Sequence, residues 1–124
     1  DVVTFFNVFE QLPDPRAAEH ALRDLVAPGG LVAIETWDAD AMVVRLLGTR
    51  WHQYRPRETP IYFNRRSLTA LFQPAHWDLV TYRAYAKGIS LRNGGAAAGL
   101  GGLTVPYRLG DLVWVVLRRR HDGA

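Results

Sequence analysis

Val2, Val3, Phe5, Phe6, Val8 and Phe9 make the first stretch a nearly unbroken apolar run rich in β-branched and aromatic residues. Such a run predicts a strand covered on both faces, as in a parallel sheet with helices on each side. Asp14 and Pro15 then supply the N-cap and first-turn signals of a helix. Ala18, Ala21, Leu22, Leu25 and Val26 fall at i, i+3, i+4, i+7 and i+8, which predicts one apolar stripe on a helix from Pro15 to Val26. Pro28 cannot continue that helix, and Gly29-Gly30 supply the permissive backbone of a tight turn. Leu31 to Thr36 reads as a second buried strand. Strand, helix and strand with short connections predict a right-handed βαβ unit whose strands are parallel.

Further along, Asp40 to Leu47 fits a short helix closed by Gly48. The segment GTRWHQYRPRETPIYF is crowded with aromatic rings and Arg and broken by Pro56 and Pro60, which suits a loop or lid. Asn64 is placed to cap a helix carrying Leu68, Leu71 and Phe72 and ended by Pro74. Leu79 to Tyr85 and Leu112 to Leu117 read as two more strands. Between them lies a Gly- and Ala-rich stretch without clear periodicity, and no internal repeat is visible.

The 124 residues are enough for one domain with a real core, though few for an α/β architecture. With 48% apolar and 22% charged residues, the composition is that of a globular protein. There is no Cys, which rules out a disulfide framework or thiolate metal site and fits a reducing cytoplasm. No apolar stretch has the length of a membrane span. The net charge of +3 is mild, and Arg118, Arg119 and Arg120 read as a solvated tail, so neither a nucleic-acid nor a membrane partner is expected.

The string DVVTFFNVFEQLPDPRAAEHALRDLVAPGGLVAIET, followed by LLGTRWHQYRP and PIYFNRRSLTALF, resembles the C-terminal half of a class I S-adenosylmethionine-dependent methyltransferase, of the bacterial small-molecule branch. The motifs D-V-V, E-Q-L-P-D-P, L-V-A-P-G-G, W and Y-F-N occur in order from Asp1 to about Phe72. The resemblance implies an α/β, Rossmann-like sheet, mostly parallel with one antiparallel strand, in the order 3-2-1-4-5-7-6. The opening strand would be the fourth, Leu31–Thr36 the fifth, Leu79–Tyr85 the sixth and Leu112–Leu117 the seventh. On this mapping residues 1–124 are the C-terminal part of a single methyltransferase domain, without its N-terminal cofactor-binding half. The Val2–Phe6 edge would then pair with a second copy, as a homodimer, or with an N-terminal half.

The expected activity is methyl transfer from S-adenosylmethionine to an O, N or C nucleophile of a small-molecule acceptor, with this part alone inactive and binding the donor weakly. The alternative is a non-catalytic interaction module derived from the same fold. The ends of the strands are where ligands bind in open α/β sheets. The resemblance accordingly gives Phe6, Asn7 and Glu10 to the cofactor, and Glu10 also stands at the family's Glu position as a catalytic candidate. Glu10 and Gln11 can equally help cap the helix that starts at Pro15; Gln11 replaces the usual His and is read as a cap. Trp51, Tyr54 and Tyr62 are candidates for acceptor binding, because aromatic rings offer apolar area with a polar tip. His52 titrates near neutral pH and is a candidate general base, set against a solvated surface His. Four scattered His, of which His20 and His76 get no role, do not make a metal site. Asn93 to Gly102 lacks the spacing of a phosphate loop and reads as a flexible connection.

Overall fold

The computed structural model describes residues 1–51, 53–57, 59–85 and 110–121 in full and the backbone of 87–90 and 104–107. Strand β1 (Val2–Phe6) leads through a short turn to helix α1 (Pro15–Leu25) and strand β2 (Leu31–Trp37). Helix α2 (Met42–Leu47), a loop and helix α3 (Arg65–Leu71) follow, then strand β3 (Trp77–Ala84). Strands β4 (Lys87–Ser90) and β5 (Thr104–Tyr107) pair antiparallel as a separate two-stranded sheet, and strand β6 (Leu112–Arg119) closes the order. The pairing of β4 with β5 was not expected from the Gly- and Ala-rich composition around it. The Asn93–Gly102 run lies outside the described residues.

The main sheet has the order β1-β2-β6-β3, with β1 and β2 parallel and β6 antiparallel to both its neighbours. The order agrees with the 4-5-7-6 stretch that the resemblance implies, and the fold is a mixed α/β sheet consistent with a partial Rossmann-like methyltransferase fold. Local chemistry sets the elements. The Asp14 carboxylate accepts from Ala17 N at 3.0 Å and so caps α1, and Asn64 with Ser67 forms a reciprocal capping box on α3. Gly29 takes φ +83° at the base of β2, and a Cβ on Gly30 would come within 2.7 Å of Val26, so the turn there admits nothing larger.

One face of the sheet is packed by α1 and α3. Val32, Ile34, Val113, Val115 and Leu117 meet Leu22, Val26, Leu68 and Phe72, and Phe9, Phe63 and Trp77 fill the ends. The other face is unevenly covered: Ala33, Glu35 and Leu112 are buried on it, whereas Thr4, Phe6 and Arg83 are exposed. The opening strand is therefore covered on one face only: Val3 and Phe5 pack on the core, whereas Val2 and Thr4 are exposed and Phe6 is 57% exposed. A continuous apolar run cannot reveal this, because both of its faces read alike. The α1 stripe is also rotated from the expected one. Leu25 is 70% exposed and Glu19 is buried in its place, because the Glu19 carboxylate accepts the indole N–H of Trp77 at 2.8 Å. Arg119 is likewise not a solvated tail residue: β6 extends through it, and its guanidinium lies 5.9 Å from the centre of the Trp77 ring.

Candidate functional site

β1 stops at Phe6 because Asn7 turns the backbone into the left-handed region, φ +54°. Asn is among the few side chains that accept that conformation. The turn is pinned on both sides. Asn7 N donates to Glu35 O at 2.9 Å, and Asn7 Nδ2 donates to Glu35 Oε1 at 3.1 Å. Phe9, wholly buried against Phe5, Phe63 and Phe72, then anchors the short Phe9–Gln11 turn. That anchoring holds the neighbouring Glu10 inward, where its carboxylate accepts from Thr36 Oγ1 at 3.1 Å. Burial raises the Glu10 carboxyl above its ordinary range; the Thr36 hydroxyl and backbone hydrogen bonding oppose the shift, and the Glu35 charge adds to it.

Neither Glu10 nor Gln11 caps α1, since Asp14 does that. Gln11 instead donates from Nε2 to Asn7 O at 3.2 Å, bracing the left-handed turn. Asn7, Glu10 and Gln11 form one side of a cleft of about 250 Å³, and Trp37, Gln53, Arg55 and Thr59 form the other. Asn7 Oδ1 is buried and has no hydrogen-bond partner.

The aromatic loop divides its labour. Trp51 is 3% exposed, donates its indole N–H to Asp111 Oδ2 at 2.8 Å, and sets its ring edge-on to Trp37. The Tyr62 hydroxyl accepts from Arg55 N at 2.7 Å and donates to Gln53 O at 3.2 Å. Trp51 and Tyr62 thus hold the loop in shape, which presents Gln53, Arg55 and Thr59 to the cleft. Tyr54 stacks on Tyr62 and stays exposed. His52 lies outside the described residues.

Phe6 does not line the cleft of Asn7, Glu10 and Gln11. It lies in one cross-strand row with Glu35, Trp114 and Arg83 on the sheet face opposite α1 and α3. With Tyr85 these residues line a second cavity of about 460 Å³. The Tyr85 phenol is raised well above its ordinary range, first by burial and then by its hydrogen bond to the Glu35 carboxylate and the charge there. Sequence reasoning missed Glu35, Thr36, Asp111 and Tyr85. The available signal was Glu35 itself, a lone carboxylate inside the otherwise buried strand LVAIETW.

Among the described residues no cluster of His, Asp and Glu is arranged to hold a metal, and no helix is long and apolar enough to cross a membrane. A family model described as a methyltransferase domain matches residues 1–82, a span that includes β1, β2, Glu10, Glu35 and the aromatic loop. No curated protein matches the chain.

Proposed function

The chain belongs to the methyltransferase domain family, and on that premise we propose that it serves S-adenosylmethionine-dependent methyl transfer to a small-molecule acceptor. The observation that carries this reading is the buried, unpartnered Asn7 Oδ1 beside the Glu10 carboxylate in the cleft beyond β1. An open acceptor oxygen next to a carboxylate suits a ligand that brings N–H groups and positive charge. S-adenosylmethionine supplies an activated methyl group on a positively charged sulfur and carries an ammonium group as well. Asn7 and Glu10 fit its polar end, and Phe6 adds apolar surface on the far side of the same strand end. Trp51, Tyr54, Tyr62 and His52 belong to the acceptor side. A carboxyl raised by burial also suits proton uptake from an acceptor better than an ordinary one, which keeps Glu10 and His52 as the candidate bases. Most of the rate would come from holding the acceptor atom in line in a dry cleft.

The cleft of about 250 Å³ is smaller than the roughly 300–1,000 Å³ usual for small-molecule sites, which supports reading it as one wall of a larger crevice. β1 has a strand on one side only among the described residues, so its other edge is where we place further polypeptide, a second copy or an N-terminal half. We place the activity in the cytoplasm. Titration of the chain with S-adenosylmethionine, followed by NMR, tests the reading. We expect shifts confined to Phe6, Asn7, Glu10, Gln11 and Trp37, with affinity on the order of millimolar and weakened by Glu10→Gln. Shifts elsewhere, or none, overturn it; tight binding overturns the single-wall part.

A further inference from the structure

Resting on the methyl-transfer reading, we propose that Glu35 is the positioning residue that sets the hydrogen-bond polarity of the cleft. It holds the Asn7 amide so that an acceptor oxygen is left to meet the ammonium group of S-adenosylmethionine. Phe6 pairs with Glu35 across β1 and β2, so the two side chains share a sheet face. In a continued strand Asn7 would point to the opposite face. Its left-handed backbone, φ +54°, swings the amide back instead, and Glu35 grips it twice. Asn7 N donates to Glu35 O at 2.9 Å, and Asn7 Nδ2 donates to Glu35 Oε1 at 3.1 Å. The Asn7 carbonyl accepts from Gln11 Nε2 at 3.2 Å. Backbone N, backbone O and Nδ2 are thus committed, which leaves the buried Oδ1 without a partner among the described residues.

The two ends of an amide have nearly the same shape, so partner chemistry decides which end faces where. An ionised carboxylate only accepts, and so it admits Nδ2 and excludes Oδ1. Glu35 is 4% exposed and is braced by further contacts, the Tyr85 hydroxyl among them, which fixes its own position. It does not line the cleft of Asn7, Glu10 and Gln11 and acts there through Asn7. A buried acceptor without a partner is costly, and such an atom marks a place where a ligand completes the set. With Glu10 in the same cleft wall, the β1 side presents an amide oxygen and a carboxylate, both acceptors. That wall receives the N–H groups of an ammonium and turns away a carboxylate. A Gln at position 35 would fill the same space, yet either end of its amide could face Asn7. The polarity of the cleft would then no longer be set.

The experiment follows the Asn7 side-chain amide of the full chain by NMR, with S-adenosylmethionine as the probe. In the unaltered chain one Nδ2 proton is expected to be protected from exchange before any ligand is added. Glu35→Gln is expected to release that proton. Saturation with S-adenosylmethionine should restore its protection, because the ligand then holds Oδ1. With two amide orientations equally populated, that variant binds S-adenosylmethionine about twofold more weakly. Asn7→Gly keeps the left-handed backbone and removes the amide, so it is expected to fold and to bind at least about fivefold more weakly. Glu10→Gln is expected to leave the Asn7 proton protected. An unprotected Asn7 amide in the unaltered chain overturns the proposal, as does unchanged binding by Asn7→Gly. A Glu35→Gln variant that loses stability while its Asn7 amide and its binding curve stay as they were also overturns it, because Glu35 is then structural. If Glu35→Gln does not fold, the Asn7 protection and the Asn7→Gly titration decide. Failure of the methyl-transfer reading has a different signature: S-adenosylmethionine perturbs none of the cleft residues, while the Asn7 proton is protected in the unaltered chain and released in Glu35→Gln.

Discussion

At the end of the sheet where β3 begins and β6 finishes, Trp77 donates its indole N–H to Glu19 at 2.8 Å. At the opposite end, Trp51 does the same for Asp111, also at 2.8 Å. The surroundings of the two ends differ. Arg23 Nε lies 3.2 Å from Glu19, Arg23 also reaches the His76 ring at 3.0 Å, and Arg119 covers the Trp77 ring. This cluster supplies its own countercharge. Near Trp51, by contrast, the buried Glu10 carboxylate accepts from the Thr36 hydroxyl, a neutral group. A carboxylate matched by a guanidinium ties α1 to the sheet. A carboxylate held by neutral donors keeps its field, and it does so at the strand ends where ligands bind in open α/β sheets.

The largest effect expected from this contrast is on Trp77. It is 2% exposed and lies in the central core, so Trp77→Ala should cost about 3–5 kcal/mol in urea denaturation. Trp51→Ala removes an equally buried ring that packs on Trp37 and Tyr62, outside that core cluster. It should loosen the loop and change cleft binding while costing clearly less in global stability. Equal losses for the two variants would break the distinction between a core end and a site end.

Next in size is the pair Glu19→Gln and Glu10→Gln. The first leaves Arg23 without its carboxylate and should cost about 2 kcal/mol at neutral pH. The second removes a buried carboxylate held by the neutral Thr36 hydroxyl and should stay within about 1 kcal/mol of the unaltered chain. If Glu10→Gln were the more damaging, Glu10 would be the structural carboxylate of the two.

The contrast also explains what could be read in advance. Periodicity and caps located β1, α1, β2, α2, α3, β3 and β6 because each has a local signal, such as Asp14 before Pro15 or Asn64 before the Leu68 stripe. Strand order followed from the resemblance, since pairing partners such as Ala33 and Val116 are far apart in sequence. Glu10 was legible as a residue just past an apolar strand. Its fate was not, because Thr36 arrives from the next strand. The rotation of α1 was hidden for a similar reason: Leu25 outranks Glu19 in apolarity, and only Trp77, supplied by β3, makes Glu19 the better buried residue. Long-range polar partners therefore set both what was misjudged and where the candidate chemistry lies.

A smaller effect should follow from Trp51→Phe, which keeps a smaller aromatic ring and removes the N–H that reaches Asp111. Loss of that donor to a fully buried carboxylate should cost about 1 kcal/mol and be visible as faster amide exchange in the loop. An unchanged exchange pattern would mean that ring packing on Trp37 and Tyr62 alone holds the loop.

The smallest effect is the pH dependence set by Glu10, and it tests the electrostatic half of the contrast most directly. Its folded carboxyl is raised above the ordinary value of 4.5, chiefly by burial, so the folded chain holds that proton more tightly than the unfolded chain. Folding stability then falls as pH rises wherever the folded state binds more protons. The contribution from protonated Glu10 is fully present below about 4.5 and is lost as pH climbs through the folded value. Glu10→Gln cannot titrate, so the stability of the unaltered chain should decline relative to that variant across this window. Thr36→Val removes the hydroxyl that opposes the shift and should move the decline to higher pH. The check is a set of urea midpoints for the three proteins from about pH 4 to pH 8. A constant gap between the unaltered chain and Glu10→Gln at every pH would show that burial leaves this carboxyl at its ordinary value, and the cleft would lose its raised-pKa acid.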